Sequence, residues 1–157
     1  MLLTILLRRL KKRLQSEGKK MTTLALIAHM PLASALSECA QHVLGEIDNY
    51  IFFDIEPDVE PENKVQEIVE KLKPMLGPDR QVLILSDLGG ATPANIGARV
   101  VRELQNADVK AHILSGTNAC MLLNAVRYRE QPMDQLCQSI FEGGKKGMKC
   151  VDLAPND

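Results

Sequence analysis

The sequence predicts an α/β fold: a single domain with a mainly parallel central sheet flanked by helices. Short apolar runs alternate along the chain with longer segments in which apolar residues recur at helical spacing. This alternation is typical of successive right-handed β-α-β units. The length agrees, because 157 residues with 45% hydrophobic content suit one domain with a sizeable core and are too few for two ordinary domains.

The first strand and helix follow Met21. Thr23–Ala28 is a short, continuous apolar run, as expected of a strand that is buried on both faces of a parallel sheet. Leu32–Leu44 is predicted to be a helix that ends at Gly45, since glycine readily adopts the backbone conformation of a helix C-cap. Its expected buried stripe comprises Leu32, Leu36, Cys39, Ala40 and Val43.

The second strand and helix come next. Tyr50–Ile55 is the strand, and Pro61 suits the first turn of the helix, where no backbone N–H is needed. Pro74 is expected to distort the last turn, and Gly77 to stop the helix. The expected buried stripe comprises Val65, Ile68, Val69, Leu72 and Leu76.

The rest of the chain continues the alternation. Val82–Leu85 is predicted to be the third strand, and Thr92 is expected to cap a helix with Pro93 at its first position, running to about Gln105. The remaining predicted elements are a strand at Val109–Leu114, a helix at Ala119–Arg127, a helix at Met133–Phe141 stopped by Gly143 and Gly144, and a short strand at Met148–Leu153.

Residues 1–20 are expected to be a basic N-terminal extension outside the domain, which then comprises residues 21–157. The extension holds seven basic residues and one acidic residue, against 12 basic and 19 acidic residues in the rest. Its apolar run, Met1–Leu7, precedes the basic residues, the reverse of a secretory signal, and falls short of the roughly 20 residues that span a bilayer. We expect a disordered segment or translation from upstream of a true start at Met21. A membrane-surface helix is the alternative.

Composition and motifs argue against several classes of function. The acidic body and the lack of Trp disfavour nucleic acid as a partner. The four cysteines form no Cys-x-x-Cys pair and the three histidines lack metal-ligand spacing, so neither a disulfide framework nor a metal site is predicted. No glycine-rich nucleotide motif and no Gly-x-Ser-x-Gly is present, so no nucleotide cofactor and no acyl-transfer serine are expected. Without an export signal, the expected location is cytoplasmic, with no stable membrane insertion.

Polar residues follow three of the predicted strands. His29 follows the first strand, Asp87 and a glycine turn follow the third, and residues 115–118 follow the fourth. Parallel strands deliver their carboxyl ends to one edge of the sheet, where ligands bind, so we expect these residues to converge. Taken singly, His29 could be an ordinary loop histidine, Asp87 a turn-former and Thr92 only a helix cap.

The combination favours a histidine that carries a phosphoryl group. Such an imidazole needs one ring nitrogen free to attack and the other held as N–H by an acceptor, which Asp87 can supply. The phosphoryl oxygens need N–H donors, and glycine turns and helix N-termini provide them. Transfer itself requires mainly positioning and charge stabilisation.

Three segments resemble the enzyme IIA domain of the mannose/fructose/sorbose branch of the bacterial sugar phosphotransferase system. They are Leu24–Leu36, Asp87–Asn95 and Ser115–Leu123, in the family's order and separation. Departures include Met30 in place of a glycine and Gly89 in place of an aromatic residue. The resemblance implies that His29 is the phosphorylated residue, that Asp87 is its hydrogen-bonding partner, and that the phosphate-binding loops contribute Gly90, Thr92, Asn95, Gly116 and Asn118.

The same resemblance implies a phosphotransferase that takes a phosphoryl group from phospho-HPr and passes it to a IIB-type domain or another cytoplasmic acceptor. The family is commonly a homodimer that exchanges a C-terminal strand, for which Met148–Leu153 is the candidate. Two alternatives stay open: a regulatory phosphoprotein that signals through the phosphorylation state of His29, and the phosphoryl donor of a dihydroxyacetone kinase. A small α/β hydrolase is the residual enzyme alternative.

Overall fold

A four-stranded parallel sheet forms the centre of the molecule. The computed structural model describes residues 20–151. The strands are β1 (Thr23–His29), β2 (Tyr50–Ile55), β3 (Gln81–Ser86) and β4 (Lys110–Leu114), in the spatial order β2-β1-β3-β4. Each neighbouring pair is parallel. The predicted fold class is therefore confirmed, and the first four of the five predicted strands lie within one residue of the observed bounds at each end.

Within residues 20–151, five helices cover the two faces of the sheet. They are α1 (Leu32–Leu44), α2 (Pro61–Leu72, continued by a 3₁₀ turn at Lys73–Met75), α3 (Thr92–Asn106), α4 (Ala119–Tyr128) and α5 (Met133–Gly147). Successive side chains of β1 alternate between two apolar clusters: Ala25 and Ile27 join the one under α2 and α3, and Leu24 and Leu26 join the one under α1, α4 and α5. The core thus has two layers with the sheet between them, as strand geometry requires.

The buried face of α1 differs from the predicted one. The residues that α1 buries are Ala33, Ser37 and Ala40, whereas Cys39 is exposed. Leu32 is 39% and Val43 53% exposed. Small residues let the helix lie close to the sheet, and the Ser37 hydroxyl is satisfied there because it donates to the Ala33 carbonyl and meets the Tyr50 hydroxyl at 2.5 Å. The prediction was right for Ala40, which is buried, and for Leu36, which packs partly buried against the core. It missed Ser37 because a buried serine does not stand out in an apolar pattern.

The end of α5 also differs from the prediction. The helix runs through Gly143 and Gly144 to Gly147 instead of stopping at Phe141. A Cβ atom on Gly144 would lie 2.6 Å from Cγ of Met121, and one on Gly143 or Gly147 would collide with α4 at Asn124 or Cys120. The three glycines therefore permit close packing of α5 on α4, and they do not terminate the helix.

The predicted C-terminal strand is not formed in the part of it that the structure describes. Residues 148–151 belong to no helix or strand, and residues 152 and 153 lie outside the described residues. Residues 148–151, which follow α5, pair with none of the four strands. Exchange of this segment in a homodimer stays a prediction.

The prediction for the N-terminal extension falls on residues 1–19, which lie outside the described residues, and on Lys20, which is exposed. Between residues 20 and 151, none of the helices combines the length and the apolar character that crossing a bilayer requires.

Candidate active site

His29 is the last residue of β1, one of the two central strands. β1 lies between β2 and β3, and the register places His29 beside Ile55 at the end of β2. The backbone N–H of the next residue, Met30, donates to the Ile55 carbonyl at 3.1 Å and so ties the chain to β2 just past the strand. The apolar side chains of β1 are buried up to Ala28, whereas the side chain of His29 is 49% exposed. The histidine is thus held on a rigid element and remains open to a partner.

Asp87 follows β3 directly and contacts the histidine. Oδ2 of Asp87 lies 2.7 Å from Nδ1 of His29 and also accepts the His29 backbone N–H at 3.1 Å. Oδ1 accepts the Leu88 N–H at 2.9 Å. The side chain is only 9% exposed. Both carboxylate oxygens are therefore fixed, and the structure brings together the two residues that the sequence predicted as the catalytic pair.

The contact determines which ring nitrogen carries the proton. An ionised carboxylate only accepts hydrogen bonds, so Nδ1 of His29 must donate to Asp87. In the neutral imidazole the other nitrogen, Nε2, then keeps a free lone pair. The arrangement gives His29 a single nucleophilic atom.

The carboxyl group of Asp87 is held in its ionised form. Burial alone would raise its pKa, but hydrogen bonds from the His29 ring, the His29 N–H and the Leu88 N–H outweigh burial and hold the pKa below its ordinary value. At neutral pH the site therefore contains a carboxylate facing the imidazole.

Glycine turns occur in the loops that follow β3 and β4. Gly90 has φ of +82° and Gly116 has φ of +78°, a backbone region that favours glycine. A Cβ atom on Gly89 would approach the Ser115 Oγ to 3.1 Å, so the β3–α3 and β4–α4 loops come close at this point. A side chain at position 89 would therefore require the Ser115 side chain to shift.

The predicted amide residues brace the loops. Nδ2 of Asn95 donates to the Gly90 carbonyl at 3.3 Å. Oδ1 of Asn118 accepts the Met121 N–H at 2.9 Å and so caps α4, while its Nδ2 donates to the Gly144 carbonyl in α5 at 3.4 Å. Both side chains are thus engaged in holding the backbone, and contact of either with a phosphoryl group stays a prediction.

Thr92 is not the N-cap of α3 that the sequence predicted. Ala91 occupies the cap position, and no side chain caps the helix. Thr92 begins the helix and is exposed, and Pro93 follows within the first turn. The helix begins after Ala91 because the turn that follows Asp87 ends there, with the Ala91 N–H donating to the Leu88 carbonyl. The first N–H groups of α3 therefore have no side-chain acceptor at the edge of the sheet that carries His29.

Two residues to which sequence reasoning gave no individual role, Ser86 and Thr117, support Asp87. Ser86 is the last residue of β3 and is fully buried, and its carbonyl accepts both the N–H and the hydroxyl of Thr117. The signal in the sequence was slight: one serine at the end of an apolar strand and one threonine after a glycine. The two residues are distant in sequence and meet only because the β4–α4 loop lies next to the end of β3.

The other two histidines lie elsewhere. His42 is exposed near the end of α1, and His112 is exposed on the edge strand β4. Within residues 20–151, no group of three His, Cys, Asp or Glu side chains has an arrangement that could hold a metal ion.

Comparison with known proteins gives a consistent result. The family model described as the fructose IIA component of the phosphotransferase system (PTS) matches residues 23–140. The sorbose-specific EIIA component of Lacticaseibacillus casei is 31% identical over 118 residues, which are 74% of this chain and 81% of that protein. The mannose-specific EIIAB component of Escherichia coli K12 is 27% identical over 137 residues, 85% of this chain, and the match spans 41% of the length of that protein.

Solved structures agree in fold. The mannose/sorbose-specific IIA subunit from Enterococcus faecalis superposes with a TM-score of 0.73 at 20% sequence identity, covering 87% of this chain and 99% of that one. An EIIA component from Streptococcus agalactiae gives a TM-score of 0.72 at 22% identity. At these identities the likeness establishes the α/β architecture.

Proposed function

The chain belongs to the mannose-type IIA family of the bacterial sugar phosphotransferase system, whose family model spans residues 23–140, and from this premise we propose that it is a phosphocarrier. Its domain, residues 21–157, accepts a phosphoryl group from phospho-HPr on His29 and passes it to an acceptor protein in the cytoplasm. The observation that carries the proposal is the 2.7 Å contact between Nδ1 of His29 and Oδ2 of Asp87. It leaves Nε2 free on a half-exposed ring.

The transfer step exchanges one bond to phosphorus for another. The lone pair of Nε2 attacks the phosphorus atom carried by HPr, the bond between phosphorus and the donor atom breaks, and its electron pair returns to the donor. The proton on Nδ1 stays between His29 and Asp87 throughout. Onward transfer reverses these roles, with His29 as the leaving group.

Asp87 stabilises the product electrostatically. A ring that is phosphorylated on Nε2 and protonated on Nδ1 carries a positive charge, which the carboxylate at 2.7 Å offsets. The bound oxygens are negative, and the N–H groups at the start of α3 together with the turn at Gly90 supply donors and positive potential at this edge. Thr92, in the first turn of α3, is the hydroxyl residue that we assign to the phosphoryl oxygens.

The exposed apolar surface around His29 suits the docking of proteins that donate and accept the phosphoryl group. Met30 is 51% and Leu88 60% exposed, and they directly follow His29 and Asp87 in the chain. A docked protein would cover these apolar side chains and exclude water from the phosphoryl group, which strengthens the electrostatic interactions there. The E. coli relative is named an EIIAB component, so the acceptor that we propose is a IIB-type domain or another phosphoryl acceptor of the same system.

The test is intact-protein mass spectrometry after incubation with phosphoenolpyruvate, enzyme I and HPr. The wild-type protein should gain about 80 Da in an acid-labile form, and H29A should gain nothing. H42A is the matched control, because it removes an exposed histidine from α1, and it should be labelled like the wild type. Equal labelling of H29A and the wild type would contradict the proposal. So would absence of labelling in a mixture that phosphorylates another IIA protein.

A further inference from the structure

Thr117 holds the end of the strand that carries Asp87. Its hydroxyl donates to the Ser86 carbonyl at 2.8 Å, and its backbone N–H donates to the same oxygen at 3.0 Å. Thr117 is 9% exposed and Ser86 is fully buried. One carbonyl oxygen thus accepts two donors from a neighbouring loop in a site shielded from water, where hydrogen bonds are stronger than at the surface.

The clamped carbonyl belongs to the peptide group that joins Ser86 to Asp87. Because a peptide group is planar and rigid, fixing its oxygen also fixes the nitrogen of Asp87 and the direction in which its backbone continues. The Asp87 carboxylate then reaches His29 at 2.7 Å. In the part of the chain that the structure describes, this is the one hydrogen bond of the His29 ring, so the choice of tautomer depends on where Asp87 points.

We propose that Thr117 is a positioning residue: its hydroxyl orients the Ser86–Asp87 peptide and so aims Oδ2 of Asp87 at Nδ1 of His29. The backbone N–H of Thr117 would be supplied by any residue except proline, whereas the hydroxyl depends on this side chain. The effect expected on the rate of phosphorylation rests on the proposed function. The consequence for the His29 tautomer does not.

Substitution by valine removes the hydroxyl with little change of shape. The Ser86 carbonyl keeps the hydrogen bond from the backbone N–H at 3.0 Å, so no buried acceptor loses all its partners and we expect the variant to fold. T117S keeps the hydroxyl and removes only the methyl group. Comparing the two variants separates hydrogen bonding from packing.

The first readout is the ¹⁵N NMR spectrum of the His29 ring at a pH where the imidazole is neutral. In the wild type the Nδ1–H tautomer should dominate. T117V should raise the share of the Nε2–H tautomer, and T117S should restore the wild-type spectrum. A wild-type tautomer ratio in T117V, or an equal change in T117V and T117S, would overturn the proposal. If T117V does not fold, T117A is the second hydroxyl-free variant and is judged in the same way.

The second readout is the rate of phosphorylation by phospho-HPr. T117V should be about tenfold slower, because small displacements of a positioning group cost rate steeply, and T117S should remain within about twofold of the wild type. An unchanged rate in T117V would contradict the proposal. If the wild type itself takes up no phosphate, the proposed function fails, whereas the tautomer measurement still decides the role of Thr117.

Discussion

At the scale of single residues, Asp87 is anchored more firmly than the histidine it serves. Its two oxygens accept N–H groups from the backbone of Leu88 and of His29 as well as the ring of His29. The backbone therefore holds the carboxylate in place, and the carboxylate in turn orients the half-exposed imidazole. This order suits a carrier, because the part that meets successive partners can remain exposed while the part that sets its chemistry is buried.

We expect D87N to slow phosphorylation of His29 by about 100-fold, a typical cost of removing one electrostatic contact from a preorganised site. A neutral amide cannot offset the positive charge of the phosphorylated ring, and its NH₂ group could stabilise the wrong tautomer. The measurement is a time course of intact mass with limiting phospho-HPr, together with circular dichroism to show that the variant is folded.

D54N is the matched control for D87N. Asp54 lies in β2, next to β1, and its Oδ1 accepts the Ser34 N–H at 3.1 Å instead of a bond from His29. Its replacement removes a carboxylate from the neighbouring strand without changing the His29 contact, so its phosphorylation rate should stay within about threefold of the wild type. Equal losses in D87N and D54N would assign the effect to overall charge, contrary to the proposed role of Asp87.

At the scale of secondary structure elements, the packing of α5 on α4 helps to hold the loop between β4 and α4. Asn118 caps α4 and donates to the Gly144 carbonyl in α5. Close packing is possible because the glycines of α5 lack Cβ atoms. The loop that carries Gly116 and Thr117 is thus attached to α5 as well as to the sheet.

We expect G144A to lower the free energy of unfolding by about 1–3 kcal/mol, the usual cost of overpacking a well-filled contact. The new methyl group would lie 2.6 Å from Cγ of Met121, and this clash outweighs the gain of about 1 kcal/mol that alanine gives in a helix. Urea unfolding measures the change. Q135A, at an exposed position of the same helix, is the control and should be within about 0.5 kcal/mol of the wild type.

Sequence patterns predicted the strands better than the helices. The two central strands, β1 and β3, are apolar runs that are buried on both faces, so their pattern does not depend on which neighbour covers them. The face of α1 and the end of α5 depended on contacts instead: Ser37 is buried because Tyr50 meets its hydroxyl, and Gly144 is helical because Met121 packs against it. Neither contact could be inferred from the local sequence.

At the scale of the whole molecule, the parallel sheet brings the site together. His29 and Asp87 are 58 positions apart in the chain, but β1 and β3 are adjacent and end at the same edge. The sequence predicted this convergence because parallel strands align their carboxyl ends. It could not predict the strand order β2-β1-β3-β4, which places the β4–α4 loop next to Ser86 and so makes Thr117 part of the support of the site.

The stability of the fold should fall at high pH through Tyr50. Burial raises the pKa of this phenol from 10.0 to about 12, and the hydrogen bond with Ser37 offsets only part of that effect. Since the folded-state pKa is the higher one, the contribution is fully present below about pH 10 and is lost as the pH rises towards 12. A difference of two pKa units corresponds to about 2–3 kcal/mol.

Y50F isolates this contribution. At neutral pH it should be less stable than the wild type by about 1 kcal/mol, because the hydrogen bond with Ser37 is lost, and its free energy of unfolding should fall less steeply than that of the wild type above pH 10. Urea unfolding across this range measures both. Y128F, which removes a phenol that is 42% exposed, is the control. Parallel pH profiles for Y50F and the wild type would contradict the prediction.

We propose that His29 carries the phosphoryl group on Nε2 while Asp87 holds the proton on Nδ1. Heteronuclear NMR of the phosphorylated, ¹⁵N-labelled protein tests it most directly, because coupling between ³¹P and a ring ¹⁵N identifies the bonded atom. We expect coupling to Nε2 of His29 and a proton retained on Nδ1. Coupling to Nδ1, or to a nitrogen of another residue, would contradict it.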